Sequence, residues 1–277
     1  MSRIKEVLEK GENILASVNI RDSKTDAWRL FTEVSKMTRM EYLMNQSEEC
    51  DTNLENTYLD LISRRCTHEP LQYIIGHQEF YGIDIKVDEN VLVPRFDTEI
   101  LVETALKYIK PNDKVLDMCT GSGCIICAIA KNCNIEKGTG AELSEGAIQV
   151  AKNNVKYNEI PNVEIIQTDL FANITEKYNV IVSNPPYITT SEIETLDTEV
   201  KDKEPYMALW GHDDGLYFYR KITENARLYL KEDGFLLYEI GCEQAEDVVG
   251  IMKNNGFKEI EVIKDLAGLD RVVKGRI

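Results

Sequence analysis

No stretch of these 277 residues is apolar for long enough to span a bilayer, which takes about 20 consecutive apolar residues in a helix. The opening segment, Met1-Ser-Arg-Ile-Lys-Glu-Val-Leu-Glu-Lys10, has no apolar centre, so no signal peptide is expected. Histidine is scarce. The three present, His68, His77 and His212, are isolated, so no metal site is expected. Basic runs are missing as well. Lys and Arg number 32 against 48 Asp and Glu, a net charge of −16 with a pI near 4.7. Binding a polyanion depends on cationic contacts. The expected partner is therefore a small molecule or another protein, with no nucleic acid bound directly and no membrane. Internal repeats and low-complexity segments are absent. The seven cysteines are scattered and odd in number, which points to free thiols in a reducing, cytoplasmic compartment. Cys124-Ile-Ile-Cys127 has redox-motif spacing. It falls in a predicted helix of small and apolar residues, however, and reads as two packed core thiols.

What is present divides into three parts. Residues 1–76 have helical periodicity. Ala27, Leu30, Phe31 and Val34 share one face of a predicted helix over Lys24–Met37, with Ser23 or Thr25 as N-cap. Arg39–Gln46 and Leu54–Arg65 predict further helices. Residues 1–80 hold fourteen acids and ten Lys or Arg, so this part offers no basic platform. Residues 77–95 change period. Phe80, Ile83, Ile85, Val87, Val91 and Val93, with Gly82 and the turn-like Asp88-Glu89-Asn90, predict a β-hairpin connector. Residues 96–277 alternate helix and strand. Predicted strands are Val115–Met118, Thr139–Leu143, Val163–Thr168, Val180–Ser183, Phe235–Ile240, Phe257–Lys264 and Arg271–Gly275. The alternation predicts an α/β, Rossmann-like, seven-stranded sheet with helices on both faces. Asp265–Asp270 is too short for a parallel crossover, so the last strand should run antiparallel.

Two motifs sit at predicted strand ends. Asp117-Met-Cys119-Thr120-Gly121-Ser122-Gly123 leaves a strand and opens a helix. Its glycines permit a tight turn and close approach of a ligand to backbone N–H groups. The dinucleotide fingerprint wants a third glycine where Ile126 stands, which weakens a nicotinamide reading. Glu142, about 20 residues on, ends the next strand, where such folds place an acid on ribose hydroxyls. The alternative is a solvated surface acid. Asp169 and Leu170 end the third strand. Asp169 suits an adenine amino group, with Leu170 or Phe171 against the ring; the alternative is an N-cap with core apolar residues. Asn184-Pro185-Pro186-Tyr187 ends the fourth strand. Methyl transfer to an amide or amine nitrogen is hindered because its lone pair is delocalised. The Asn184 oxygen and a nearby backbone carbonyl can accept both N–H groups, and the prolines stiffen the loop that holds them. Tyr187 offers a flat face to the target group. Read blandly, the loop is a proline turn leaving a strand.

These residues resemble the Rossmann-like, S-adenosylmethionine-dependent methyltransferases, and within them the release factor glutamine N5-methyltransferases. The likeness spans nearly the whole chain. Val93-Pro-Arg95-Phe96-Asp97-Thr-Glu99 is similar to the family's Pro-Arg-Pro-Asp-Thr-Glu signature. Glu199–Pro205, Ala208-Leu209, Asp214-Gly215-Leu216, Leu237-Tyr-Glu239-Ile-Gly241 and Asp265–Arg271 match further stretches. The resemblance implies S-adenosylmethionine as methyl donor and the Gly-Gly-Gln glutamine of class I peptide chain release factors as acceptor. It places Cys119–Gly123, Glu142 and Leu170 at the cofactor and Asn184–Tyr187 at the glutamine amide, with Asn184 also expected to touch the cofactor. Cys119 stands where the family usually has glycine, Phe96 where it has proline, and Leu170 where it often has an aromatic residue. The Asn-Pro-Pro-Tyr motif also occurs in adenine methyltransferases. The rival readings are therefore an enzyme acting on nucleic-acid adenine or a ribosomal-protein glutamine, and a non-catalytic S-adenosylmethionine-binding protein.

Overall fold

A computed structural model describes residues 2–277. The chain forms two compact units, one comprising residues up to Gly76 with Asp197–Lys203, the other His77–Leu196 with Glu204–Ile277.

The first unit carries helices α1 (Ile4–Ser17), α2 (Ser23–Ser35), α3 (Arg39–Asn45), α4 (Thr52–Arg65) and α5 (Leu71–Ile75). Side-chain caps start two of them. Thr38 and Glu41 form a capping box on α3, and the Asp51 carboxylate accepts the N–H of Asn53 and Leu54 on α4. The helix expected from Lys24 already includes Ser23. Asp22 precedes it and makes no side-chain cap, so neither Ser23 nor Thr25 is the N-cap. Val7, Leu15, Leu30, Phe31, Tyr58 and Ile62 build the core, with Phe31 and Tyr58 edge to face at 5.6 Å. A Cβ on Gly11 would lie 1.9 Å from the Tyr58 hydroxyl, so α1 meets α4 only because position 11 has no side chain. Arg65 is buried and satisfied. Its Nε lies 2.7 Å from Asp26 and its Nη2 2.6 Å from Glu199, while its Nη1 donates to the Glu69 carbonyl.

The second unit begins with an antiparallel hairpin, β1 (His77–Phe80) and β2 (Ile83–Lys86). Its turn is Tyr81-Gly82, both left-handed at φ +46° and +76°, the type I′ geometry that matches strand twist. The expected hairpin ran on through Val93. Asp88-Glu89-Asn90 is instead a separate turn beyond the strands, held by Asp88 accepting from the Asn90 backbone and side chain. Val87, Val91 and Val93 are buried without belonging to a strand.

The remaining elements run in order: α6 (Glu99–Leu106), β3 (Lys114–Met118), α7 (Cys124–Asn132), β4 (Lys137–Glu142), α8 (Glu145–Tyr157), β5 (Val163–Gln167), β6 (Tyr178–Ser183), α9 (Thr190–Ile193), α10 (Thr198–Lys201), α11 (Tyr206–Leu209), α12 (Tyr217–Tyr229), β7 (Leu230–Glu239), α13 (Ala245–Asn254), β8 (Lys258–Lys264) and β9 (Asp270–Arg276). The seven-stranded sheet has the order β5-β4-β3-β6-β7-β9-β8. It is parallel except for β9, which runs antiparallel between β7 and β8, as the short link predicts. Continuous apolar runs explain why β3 and β6 occupy the buried centre. Successive strands step outward from β3 in one direction and from β6 in the other. The switch point therefore lies between their carboxyl ends, where open α/β sheets bind ligands. Asn154 on α8 ties this frame together. Its Nδ2 donates to the Lys86 and Ser122 carbonyls and its Oδ1 accepts from Lys86 N–H, which pins the hairpin beside the glycine-rich turn.

Candidate active site

Above the switch point lies a cavity of about 340 Å³, within the range of small-molecule sites. Four strand ends contribute to it: Cys119–Ser122 after β3, Glu142 after β4, Asp169 and Leu170 after β5, and Asn184 and Pro186 after β6. Of the residues expected there, Gly123, Pro185 and Tyr187 do not line it. Gly123, at φ +77°, starts α7, and a Cβ there would crowd Ala151 at 3.2 Å. Pro185 is buried in the loop. Tyr187 packs against the apolar core behind the loop, and burial pushes its phenol far above the usual range. The ring expected to face the target group is partly buried against this core.

The β3 turn is built for a ligand. Gly121 has φ +54° and nothing within 4 Å of where a Cβ would stand, so its backbone borders open space. Cys119 is also left-handed, at φ +60°. That conformation favours glycine, which gives a physical reason for the family's usual residue there. Glu142 is half-buried and organises the turn. One carboxylate oxygen accepts from Gly121 N–H at 2.9 Å, the other from Leu143 and Ser144 N–H at 2.8 and 3.0 Å. A carboxylate has about four acceptor positions, so capacity remains for a ligand hydroxyl. Beneath the turn, Asp117 is fully buried, takes the Thr120 hydroxyl on one oxygen, and has no partner for the other. Burial, opposed by the Thr120 bond and reinforced by Glu142, pushes its carboxyl up to about 7. Burial likewise raises the Cys119, Cys124 and Cys127 thiols, that of Cys127 to about 12. The Cys-Ile-Ile-Cys pair is thus packed core, with no thiolate character.

Several residues hold the Asn-Pro-Pro-Tyr loop. The Asn184 Nδ2 donates to the Thr98 hydroxyl at 3.3 Å. Ser183 Oγ donates to the Met118 carbonyl at 2.6 Å, locking the loop base to β3. The Tyr187 carbonyl accepts from Gln244 Nε2 at 3.1 Å. Gly211 and Gly215 approach the Tyr187 backbone so closely that a Cβ on either would fall 2.7 or 2.4 Å from it. The Pro94–Glu99 segment braces the same region. Arg95 pairs with Glu204, Asp97 with Arg271 at 3.1 Å, and Glu99 accepts from Tyr81 N–H at 2.8 Å. Phe96 is 70% exposed and opens a short 3-10 turn, a position where proline's fixed φ suits the backbone. Its departure from the family pattern falls on a largely solvent-exposed side chain. Thr98, Glu204, Gly215 and Glu239 fall in stretches that carry the family resemblance without any local sign of a role, and nothing local marks Gly211 or Gln244. Such roles depend on contacts distant along the chain.

Among the described residues no His, Cys, Asp or Glu group could hold a metal, and no helix is long and apolar enough to cross a membrane. The cavity fits a small organic ligand with hydroxyls for Glu142 and room against Gly121.

Comparison with known proteins defines the class first. Residues 95–200 match the methyltransferase small domain. The fold is similar to a methyltransferase from Pyrococcus furiosus, with a TM-score of 0.54 and 18% identity over 77% of this chain and 98% of that one. The sheet and its cleft are those of a Rossmann-like methyltransferase. Residues 6–76 match the PrmC N-terminal domain. The release factor glutamine methyltransferase of Thermodesulfovibrio yellowstonii is 42% identical over 99% of this chain and 96% of its own length. That of Clostridium acetobutylicum is 41% identical over 98% and 97%. The chain belongs to the release factor glutamine methyltransferase family.

Proposed function

We propose that this protein transfers a methyl group from S-adenosylmethionine to the side-chain nitrogen (N5) of the glutamine in the Gly-Gly-Gln loop of class I peptide chain release factors, in the cytoplasm. The observation that carries the reading is the Asn184 amide. It lines the cavity with its nitrogen committed to Thr98, which frees its oxygen to accept from a substrate N–H. When bound, S-adenosylmethionine would supply an electrophilic methyl group and leave as S-adenosylhomocysteine, the amide nitrogen giving up one proton. Glu142 would hold the ribose hydroxyls, Gly121 and its neighbours would let the ligand approach the turn, and Asp169 and Leu170 would flank the adenine. Asn184 Oδ1 and a loop carbonyl accept the two amide hydrogens, so the nitrogen regains lone-pair density toward the methyl group. Pro185 and Pro186 limit the loop's freedom, and Gln244 holds its far end.

The charge balance supports a protein acceptor over a nucleic acid. The acidic stretch Glu192–Glu204 contributes less than its composition suggests. Glu192 caps α9, Glu199 pairs with Arg65, and Glu204 pairs with Arg95. Mass spectrometry of release factor incubated with the protein and S-adenosylmethionine should find one added methyl on that glutamine. Methylation of adenine in DNA or RNA, or of a ribosomal-protein glutamine, with none in the release factor, would overturn the assignment.

The helical unit serves substrate recognition in this reading, because the cavity is lined by residues of the other unit alone. Deleting residues 1–76 should leave cofactor binding measurable and sharply reduce methylation of intact release factor. Undiminished activity of the truncated protein on that substrate would refute this role.

A further inference from the structure

Glu239 ends β7, next to the strand that carries the catalytic loop; its neighbour Tyr238 is paired with Ser183. The side chain is out of solvent, at 3% exposure, and its Oε2 has no hydrogen-bond partner. A buried carboxyl left half unsatisfied is costly. Among the polar groups that act on this carboxyl are the Thr98 hydroxyl and the Asn184 side chain, and these two bond each other at 3.3 Å. A side-chain amide can sit in its socket two ways round, and only one presents oxygen to the cavity.

We propose that Glu239 is a positioning residue for methyl transfer: its carboxylate, acting with Thr98, holds the Asn184 amide nitrogen inward and so turns the Asn184 oxygen to the substrate. An ionised carboxylate only accepts hydrogen bonds. It draws the Thr98 hydroxyl hydrogen and the Asn184 NH₂ toward itself, and leaves the Thr98 lone pairs facing that NH₂. An amide turned the other way would set oxygen against oxygen. Once protonated, the carboxyl also donates, and the selection is lost.

The charged and titratable groups around it are Arg271 from β9, Asp97 from the 3-10 turn, Tyr187 from the loop, Tyr219 from α12 and Cys124 from α7. Burial pushes the Glu239 carboxyl up to about 7, with Asp97 adding to the rise and Thr98, Arg271 and Asn184 opposing it. The orientation thus becomes pH-dependent near neutrality.

The inference rests on the reading of Asn184 as amide acceptor, and the test separates the two. Single-turnover rates on folded release factor would be measured from pH 5.5 to 9, alongside calorimetric affinity for S-adenosylmethionine. The wild type should slow as pH falls through about 7. Glu239→Gln should lose that acid limb and turn over roughly 10- to 100-fold more slowly at high pH, since small misplacements of a reacting group cost up to about 10² in rate. Its cofactor affinity should be unchanged. In an Asn184→Ala background, Glu239→Gln should cost nothing further, because its effect passes through that amide. A Glu239→Gln protein with wild-type rate and an intact acid limb, or with an undiminished penalty when Asn184 is already alanine, overturns the proposal. Should Glu239→Gln fail to fold, Thr98→Ala reports the same link, and wild-type turnover there refutes it. Near-normal turnover of Asn184→Ala alone would refute the parent reading instead.

Discussion

At the scale of single residues, the site depends on what each side chain can accept. In the proposed reading Asn184 accepts from the reacting amide, so its main contribution is to orientation at the reacting nitrogen. Asn184→Ala should therefore cut turnover by roughly 10²–10³ and change S-adenosylmethionine affinity little. Comparison of single-turnover rates with calorimetric affinity decides it, and a mutant with normal rate would remove Asn184 from the chemistry. Glu142 acts differently. Its carboxylate holds the turn through Gly121, Leu143 and Ser144 N–H and, in the proposed reading, also accepts from the ribose hydroxyls. Glu142→Ala loses both, with each charge-assisted bond contributing about 1.5–3 kcal/mol before compensation. Calorimetry should show affinity falling by tenfold or more; an unchanged dissociation constant would leave Glu142 a purely structural acid. Cys119 shows how a departure is tolerated. Its left-handed backbone, φ +60°, costs about 1–2 kcal/mol relative to glycine. Glycine would in turn lose about 0.4–1 kcal/mol more conformational entropy on folding, which offsets only part of that strain.

At the scale of elements, the catalytic loop is a strand end clamped by parts of the chain far from it in sequence. Strands β3 and β6 were legible because their buried, apolar runs have one reading. So was the antiparallel β9, because six residues cannot make a crossover. The hairpin was only half legible. Val87, Val91 and Val93 keep strand-like alternation, yet the backbone turns at Asp88–Asn90, and burial alone cannot distinguish a strand from a packed extended segment. The loop's clamps were not legible at all. Nothing local marks Gly211 as the residue that must let the Tyr187 backbone approach, or Gln244 as the donor to its carbonyl. Gly215 combines both demands, with φ +69° and a would-be Cβ 2.4 Å from the Tyr187 oxygen. Backbone strain of about 1–2 kcal/mol adds to a contact that only movement of the loop can relieve. Gly215→Ala should lower turnover well beyond its effect on stability, with S-adenosylmethionine affinity near normal. Thermal unfolding and kinetics together would check this, and a variant whose rate falls only as its folded fraction falls would contradict it.

At the scale of the whole molecule, the protein's response to pH follows from carboxyls shifted in opposite directions. Asp117 and Glu239 are pushed up to about 7, chiefly by burial. Between the unfolded value near 4 and about 7 the folded state holds more protons than the unfolded chain, so stability falls as pH rises through that window and levels off above it. Glu176 is the reverse case. Hydrogen bonds from Lys114 and then Lys137 hold its carboxyl down to about 2. Its contribution is present above the unfolded value and is lost as pH falls toward 2. It is a partly exposed group, so solvent screening keeps that contribution small. The net charge of −16 acts in the same direction as the buried pair, because self-repulsion grows as the remaining acids ionise. The stability maximum should therefore lie in the mildly acidic range. The urea midpoint should be higher near pH 5 than near pH 8, and added salt should recover only the self-repulsive part of the difference. Asp117→Asn removes one titrating group and should flatten the slope between pH 5 and 7, whatever it does to absolute stability. A wild-type midpoint that rises from pH 5 to 8, or an Asp117→Asn slope identical to the wild type, would show that these two carboxyls ionise in the fold as easily as in the open chain.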